Sequence, residues 1–258
     1  TIYALAEDPI VPDLLFAGTE FGAFFTQDRG ATWNQLKGGL PTIQVRDLAI
    51  QERENDLVLA TFGRGFYVLD DYRALRAASR ETLDQEATLF PVRDAWMFIP
   101  SAPNGGRDKA FFGDRFYNAP NPPFGAVFTY YLKDEIKPLR KTRLDAEKEK
   151  QKKGEDTPYP SWDALRAEDR EEAPAILLTV TDQDGNVVRR LTGPTTAGFS
   201  RVAWDLRYPQ SEPTNLQTQD IDPWDRLPAG PFAAPGRYTV SLAKRVQGVV
   251  TPLGQPQT

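Results

Sequence analysis

Few groups in this chain can act chemically on a bound molecule. It contains no cysteine and no histidine, which excludes a thiol nucleophile, a Cys/His zinc site, haem ligation by His or Cys, and any Ser-His-Asp triad within these residues. Carboxylates and guanidinium groups remain. Arg64 stands between Gly63 and Gly65, an arrangement that leaves its guanidinium open to bind a carboxylate or phosphate through two parallel hydrogen bonds. The competing role is a bridge to a backbone carbonyl or to Asp70. Arg46 and Asp47 form a second candidate pair. Asp220, Asp222 and Asp225 around Trp224 have the composition of a carboxylate pair beside an aromatic platform, as in sugar-binding or glycosidase sites; solvated loop acids around one packed Trp explain the same residues and are favoured. Asp182-Gln183-Asp184-Gly185-Asn186 alternates oxygen ligands before a glycine as a calcium loop does, but it lacks the distant Glu of an EF-hand and lies between strands, so it reads as a turn. No metal and no cofactor is expected.

The elements that must position these groups follow from composition and pattern. With 258 residues, 40% hydrophobic and 26% charged, the chain is long enough for one large domain or two small ones. No apolar run approaches the roughly 18 to 20 residues of a membrane-spanning helix. There is no early basic-then-apolar segment, and Thr1 in place of Met reads as a processed or excised chain, so export is left open. A net charge of −5 argues against a broad nucleic-acid surface. An ungapped offset of 43 residues brings Leu5, Ala6, Asp13, Leu14, Ala17, Gly22 and Asp28 onto Leu48, Ala49, Asp56, Leu57, Ala60, Gly65 and Asp71. Strands are predicted near 2–6, 13–19 and 22–27, then 45–50, 56–62 and 65–70. Short strands in a unit of this length match a propeller blade better than a sandwich.

Thr26-Gln27-Asp28-Arg29-Gly30-Ala31-Thr32-Trp33 resembles the Asp-box, S/T-x-D-x-G-x-x-W, of sialidase-like and sortilin-like propellers. Physically, Asp28 accepts hydrogen bonds from the turn it starts, Gly30 takes a conformation a Cβ would oppose, and Trp33 packs beneath the turn. In these families the box sits on outer turns, so Thr26, Asp28, Gly30 and Trp33 read as structural, and Trp33→Ala is expected to cost about 3 kcal/mol through cavity formation. Thr61 to Asp71, with Leu40 to Leu48 before it, looks like the closing-blade sequence of large exported bacterial BNR-repeat proteins, often labelled glycosyl hydrolases. The resemblance implies that 1–76 holds the last two blades of a propeller whose upstream blades are absent here, with first strands, and hence Arg46 and Asp47, lining the channel.

Tyr72 to Gln85 reads as a short helix, with 77–87 as the connector to a second domain at 88–258. Leu89 to Val92, Ala95 to Ile99 and Gly125 to Leu132 restart the β pattern. Lys133 to Ala173 carries 11 Lys/Arg against 12 Asp/Glu with few large apolar residues, a helical or disordered insertion. Strands 125–132 and 175–181 are expected to pair across it. Ile176 to Thr181 and Val187 to Leu191 form a hairpin about Asp184-Gly185. With Gly198, Trp204 and Asp205, then Gly236, Tyr238 and Val240, this region resembles the immunoglobulin-like domain of flagellar hook-capping proteins.

The expected fold is therefore all-β: a partial propeller followed by an immunoglobulin-like sandwich with a charged insertion. The resemblance implies a secreted bacterial protein, periplasmic or extracellular, in a noncatalytic recognition or scaffold role. A glycan polymer or protein would bind at the propeller loops through Arg46, Asp47 and Arg64, with no nucleic-acid partner and no membrane span. The alternative is the C-terminal part of a glycoside hydrolase, sialidase-like or xyloglucanase-like, whose catalytic acids lie upstream.

Overall fold

The computed structural model describes residues 1–99, 113, 115, 117–211, 213 and 229–258. Among the described residues, strands occupy 38% and helices 14%, in several antiparallel sheets without a barrel, an all-β fold. Two compact units divide it, Thr1–Asp84 and Gln85–Thr258.

In the first unit, β1 (Ile2–Glu7), β2 (Leu15–Thr19), β3 (Gly22–Thr26) and β4 (Asn34–Gln35) form an antiparallel meander, and β5 (Val45–Gln51), β6 (Asp56–Thr61) and β7 (Gly65–Leu69) form a second. Their facing sides bury Phe16, Ala23, Leu57 and Leu59, with Leu14, Val45 and Tyr72 completing the cluster. The sheets approach so closely at Gly18 that a Cβ there would lie 2.8 Å from the Val45 carbonyl oxygen. Where one short connecting helix is expected over Tyr72 to Gln85, two stand, α1 (Ala74–Ala77) and α2 (Arg80–Asp84).

The ladders correct the ungapped repeat. Both second hairpins run five pairs, Leu15↔Thr26 to Thr19↔Gly22 and Leu57↔Leu69 to Thr61↔Gly65. In each, the Thr hydroxyl donates to the Gly carbonyl, at 2.9 and 2.7 Å. Thr19 is thus the counterpart of Thr61, an offset of 42, whereas Gly22 matches Gly65 at 43. The turn Phe62-Gly63-Arg64 is one residue longer than Glu20-Phe21, and the segment between the paired residues Ile50 and Leu57 is one residue shorter than that between their counterparts Glu7 and Leu15. Since side chains alternate across a strand, that single residue decides which face each one occupies.

The second unit is a sandwich. One sheet has the order β11-β10-β13-β14 and the other β12-β9-β8, built from β8 (Ala87–Leu89), β9 (Ala126–Leu132), β10 (Ala175–Thr181), β11 (Val187–Gly193), β12 (Gly198–Trp204), β13 (Thr239–Val246) and β14 (Val249–Gln257). Period-two alternation buries Ala126, Phe128, Tyr130 and Leu132 of β9 against Ile176, Leu178 and Val180 of β10. The expected pairing of β9 with β10 is therefore wrong: they face each other from opposite sheets, β9 bonded to β8 and β12, and β10 to β11 and β13. Ala95 to Ile99 forms no strand, and β14 was not foreseen. Between β9 and β10 run α3 (Leu139–Lys152) and α4 (Trp162–Arg170), neither burying a residue. Arg143 of α3 donates twice to Glu168 of α4, at 2.6 and 3.0 Å.

Candidate ligand-recognition site

At the end of the first unit that carries the β6–β7 turn, the opening strands of both sheets are irregular in the same way. The ladder steps from Ile2 to Ala4 in β1 and from Val45 to Asp47 in β5, which makes Tyr3 and Arg46 the extra residues of equivalent β-bulges. A bulge re-aims its side chain away from the regular alternation. Here the two meet, the Arg46 guanidinium lying 4.2 Å from the Tyr3 ring centroid and 5.4 Å from that of Phe62. Stacking on aromatic faces keeps a guanidinium planar and held, with its N–H edge available to an anion. Arg64 is exposed on the adjoining turn, where Gly63 and Gly65 adopt φ of +80° and +70°. Asp47 is exposed and accepts a hydrogen bond from the Leu48 amide at 2.9 Å. Its ladder row, with Ala60 and Phe66, lies on the open face of the second sheet, and no ion pair joins it to Arg46 among the described residues.

The Thr26 to Trp33 segment lies between β3 and β4, at the opposite end. The buried Thr26 hydroxyl donates to Asp28 Oδ1 at 2.6 Å and accepts from the Gly30 amide at 2.9 Å. Asp28 also accepts from the Thr32 amide at 2.8 Å and the Thr32 hydroxyl at 2.5 Å. These donors, Thr26 and then Thr32, hold the Asp28 carboxyl down to about 2. Gly30 has φ +94°, and a Cβ on it would lie 3.6 Å from the Trp33 indole. The indole remains 39% exposed, so it rests against the turn and is not enclosed by it.

A buried network in the same unit escaped the sequence reading. Asp8, with a side chain 0% exposed, pairs with Arg76 at 2.8 Å and accepts the Tyr72 hydroxyl at 2.6 Å. The Ile10 and Val11 amides donate to it at 3.0 and 2.7 Å, and Arg76 also donates to Asn55 Oδ1 at 2.7 Å. Burial alone would raise the Asp8 pKa, but the donors, Arg76 foremost, outweigh it and hold the carboxyl below its ordinary range. Burial and the neighbouring Asp8 push the Tyr72 phenol up. No local signal could have shown this, since Asp8 and Arg76 are 68 residues apart. Tyr3 was legible in principle, because it stands 43 residues before Arg46.

In the second unit, Asp182 Oδ1 accepts the Asp184 and Asn186 amides at 3.0 and 2.8 Å, and Gly185 has φ +83°. Its carboxylate is directed into its own turn. Asp220, Asp222, Trp224 and Asp225 lie outside the described residues. A cavity of about 500 Å³ opens within this unit, lined among the described residues by Phe128, Trp204, Tyr238 and Val240, with Arg93 and Arg237 also on its wall.

No protein-family model and no curated protein matches the chain. Among solved structures, a weak neighbour is PorZ of Porphyromonas gingivalis, an essential bacterial surface component of the type-IX secretion system. The two share 12% identity at a TM-score of 0.24, and the match spans the whole of this chain but 30% of that one. This does not amount to a common fold. Among the described residues, no helix is long and apolar enough to cross a membrane.

Proposed function

We propose that the first unit is two successive blades of an Asp-box propeller and that the chain is a noncatalytic recognition or scaffold region of an exported bacterial protein. On this reading 1–76 are the blades, whose outer faces upstream blades of the parent protein cover, 77–87 connect, and 88–258 form the immunoglobulin-like spacer or partner domain. Arg46, Asp47 and Arg64 mark the ligand end, with Tyr3 and Phe62 added. The observation that carries this reading is the Tyr3–Arg46–Phe62 stack beside the exposed Arg64. Aromatic faces suit sugar rings and guanidinium edges suit carboxylates, which favours an acidic polysaccharide as ligand. Affinity electrophoresis in polygalacturonate tests it. The full chain should be retarded there and not in neutral dextran, and the double variant Arg46→Ala/Arg64→Ala should lose at least about tenfold in affinity, the effect of one or more charge-assisted contacts. Equal retardation of the double variant would remove these arginines from the ligand site.

A further inference from the structure

The sandwich of the second unit does not pack shut at one of its ends. The first residues of β9 and β13 and the last residues of β10 and β12 reach that end together, since Ala126 pairs with Trp204 and Val180 with Val240. Facing sheets ordinarily fill the space between them with interdigitated side chains. Here the inward row of β9 that carries Phe128, Tyr130 and Leu132 ends on Ala126, and the stretches crossing the end carry Ala95, Ala233, Ala234 and Gly236. Side chains this small leave a gap, and the gap is the cavity of about 500 Å³.

The cavity is apolar inside and charged at its rim. Phe128, Val180, Trp204 and Val240, all buried, form its interior with Tyr238. The Trp204 and Tyr238 rings meet edge-on, with centroids 5.2 Å apart. Their polar atoms are already engaged by the backbone: the indole N–H donates to the Arg207 carbonyl at 2.9 Å and the Tyr238 hydroxyl to the Ala234 carbonyl at 2.5 Å. The interior therefore offers ring faces and hydrocarbon and requires no hydrogen bond from a ligand. The wall at 233–237 is pinned, because the Ala233 amide donates to the Leu206 carbonyl at 2.8 Å and Arg207 bridges to Phe232. The charged side chains of the lining are the half-buried Arg93 and the exposed Asp94 and Arg237. Among the described residues, Arg237 has no hydrogen-bond or ion-pair partner.

We infer that this cavity binds a small aromatic carboxylate, its ring system held among Phe128, Trp204 and Tyr238 and its carboxylate met by the Arg237 guanidinium. The volume falls in the range of about 300–1,000 Å³ typical of small-molecule sites, which are preformed, largely apolar clefts with a few placed polar groups. Aromatic walls suit a flat ring through edge and face contacts. A guanidinium edge takes a carboxylate through two parallel hydrogen bonds. Asp94 tempers the positive charge, which suits a single carboxylate and not a multiply charged ligand. The site lies wholly in the second unit and does not depend on the reading of Arg46 and Arg64.

The test is fluorescence titration of the full chain with anilinonaphthalenesulfonate, whose sulfonate stands in for the carboxylate, and with the uncharged phenylnaphthylamine. Near-ultraviolet circular dichroism establishes that each protein is packed, since loosened proteins also bind such dyes. Wild type should bind the anionic dye at one saturable site. Arg237→Gln should weaken the anionic dye about tenfold, the effect of one charge-assisted contact, and the uncharged dye by less than about twofold. Ala234→Phe, which places a ring in the cavity, should weaken both by at least about tenfold; should it fail to fold, Ala95→Phe serves the same purpose. Failure of the wild type to bind either dye would overturn the inference, as would anionic-dye binding that Arg237→Gln leaves unchanged or that survives the filling variant. Arg46→Ala/Arg64→Ala should bind the anionic dye as wild type does, and a loss there would move the dye to the first unit and overturn the assignment to the sandwich.

Discussion

The two units solve the problem of a sheet's second face in opposite ways. In the sandwich, one row across the sheet reads Leu191, Leu178, Leu242 and Leu253 and points inward, while the adjacent row reads Arg190, Thr179 and Ser241 and points outward. This polar outward row closes one side of the sandwich, whereas the outward row of the other sheet, Thr88, Tyr131 and Phe199, is partly aromatic and is met by Phe90, whose ring stacks on Phe199 at 5.5 Å. In the first unit, adjacent rows of the second sheet are Leu48, Leu59 and Tyr67 on one side and Ala49, Val58 and Val68 on the other. Neither side is made for water. The same period-two rule thus gives a closed layer pair in one region and a stack open at both ends in the other, with the difference carried by what stands at alternate positions.

The sharpest way to break this contrast is to attack what holds the open stack together in place of a large core. Asp8→Ala leaves the Arg76 guanidinium facing a partly buried site with its carboxylate gone. Breaking a buried pair by removing one partner costs about 3–5 kcal/mol. Hydrogen exchange should show the loss in β1 to β7 and spare β9, β10 and β13. Acid should act on the wild type in the same place. Because the folded-state Asp8 pKa lies below its unfolded value, the stabilisation is fully present above about pH 4 and drains away as pH falls through the folded-state value. Asp8→Asn should flatten that part of the pH profile. If protection in β1 to β7 were equally acid-sensitive in Asp8→Asn, other carboxylates would be responsible.

A smaller effect is expected at Trp33. Full enclosure would justify about 3 kcal/mol, but the indole covers only one side of its turn and stays partly open to solvent. Truncation to Ala should cost about 1–2 kcal/mol, a partial-burial value. Urea unfolding measures it. A loss near the full cavity cost would mean that the indole becomes enclosed in solution, and no loss would leave the turn standing on the Thr26 and Asp28 hydrogen bonds alone.

The legible and illegible parts of this molecule divide along physical lines. Strand positions were readable because alternation and turn glycines are local: β5, predicted at 45–50, runs Val45–Gln51. Register was not, because one added residue in the turn Phe62-Gly63-Arg64 is offset by one removed before β6, and matches such as Ala17 with Ala60 survive a slip that moves a side chain to the other face. The partner of a strand was unreadable too, as β9 and β10 show, since a long insertion does not say whether the chain returns to the same sheet. Pro252, Gly254 and Pro256 disguised β14. At the ligand end, Arg46 and Arg64 stood out by charge and flanking glycines, whereas the stacking of Arg46 on Tyr3 depends on two bulges that no residue type announces.

The smallest effect should come from the insertion, and it sharpens the contrast by showing what the closed sandwich does not need. Lys133 and Ile136 belong to the sandwich, since their amides donate to the Glu86 and Thr195 carbonyls at 3.0 and 2.9 Å. Beyond them, α3 and α4 bury no residue and hold chiefly to each other, with the Glu171 carboxylate accepting from the Leu139 amide at 2.7 Å. Replacing 139–171 by a Gly/Ser linker long enough to pass from one sheet to the other should therefore change stability by less than about 1 kcal/mol, the scale of a modest change in loop length. Because β9 and β10 lie in opposite sheets, linker length matters in a way that direct pairing would not require: a linker of only a few residues should strain the sandwich and lower its melting temperature, whereas a longer one should restore it. Thermal unfolding of a linker-length series measures both limbs. Stability that stays low at every length would show that α3 and α4 brace the sandwich, and stability indifferent to the shortest linkers would contradict the placement of β9 and β10 in separate sheets.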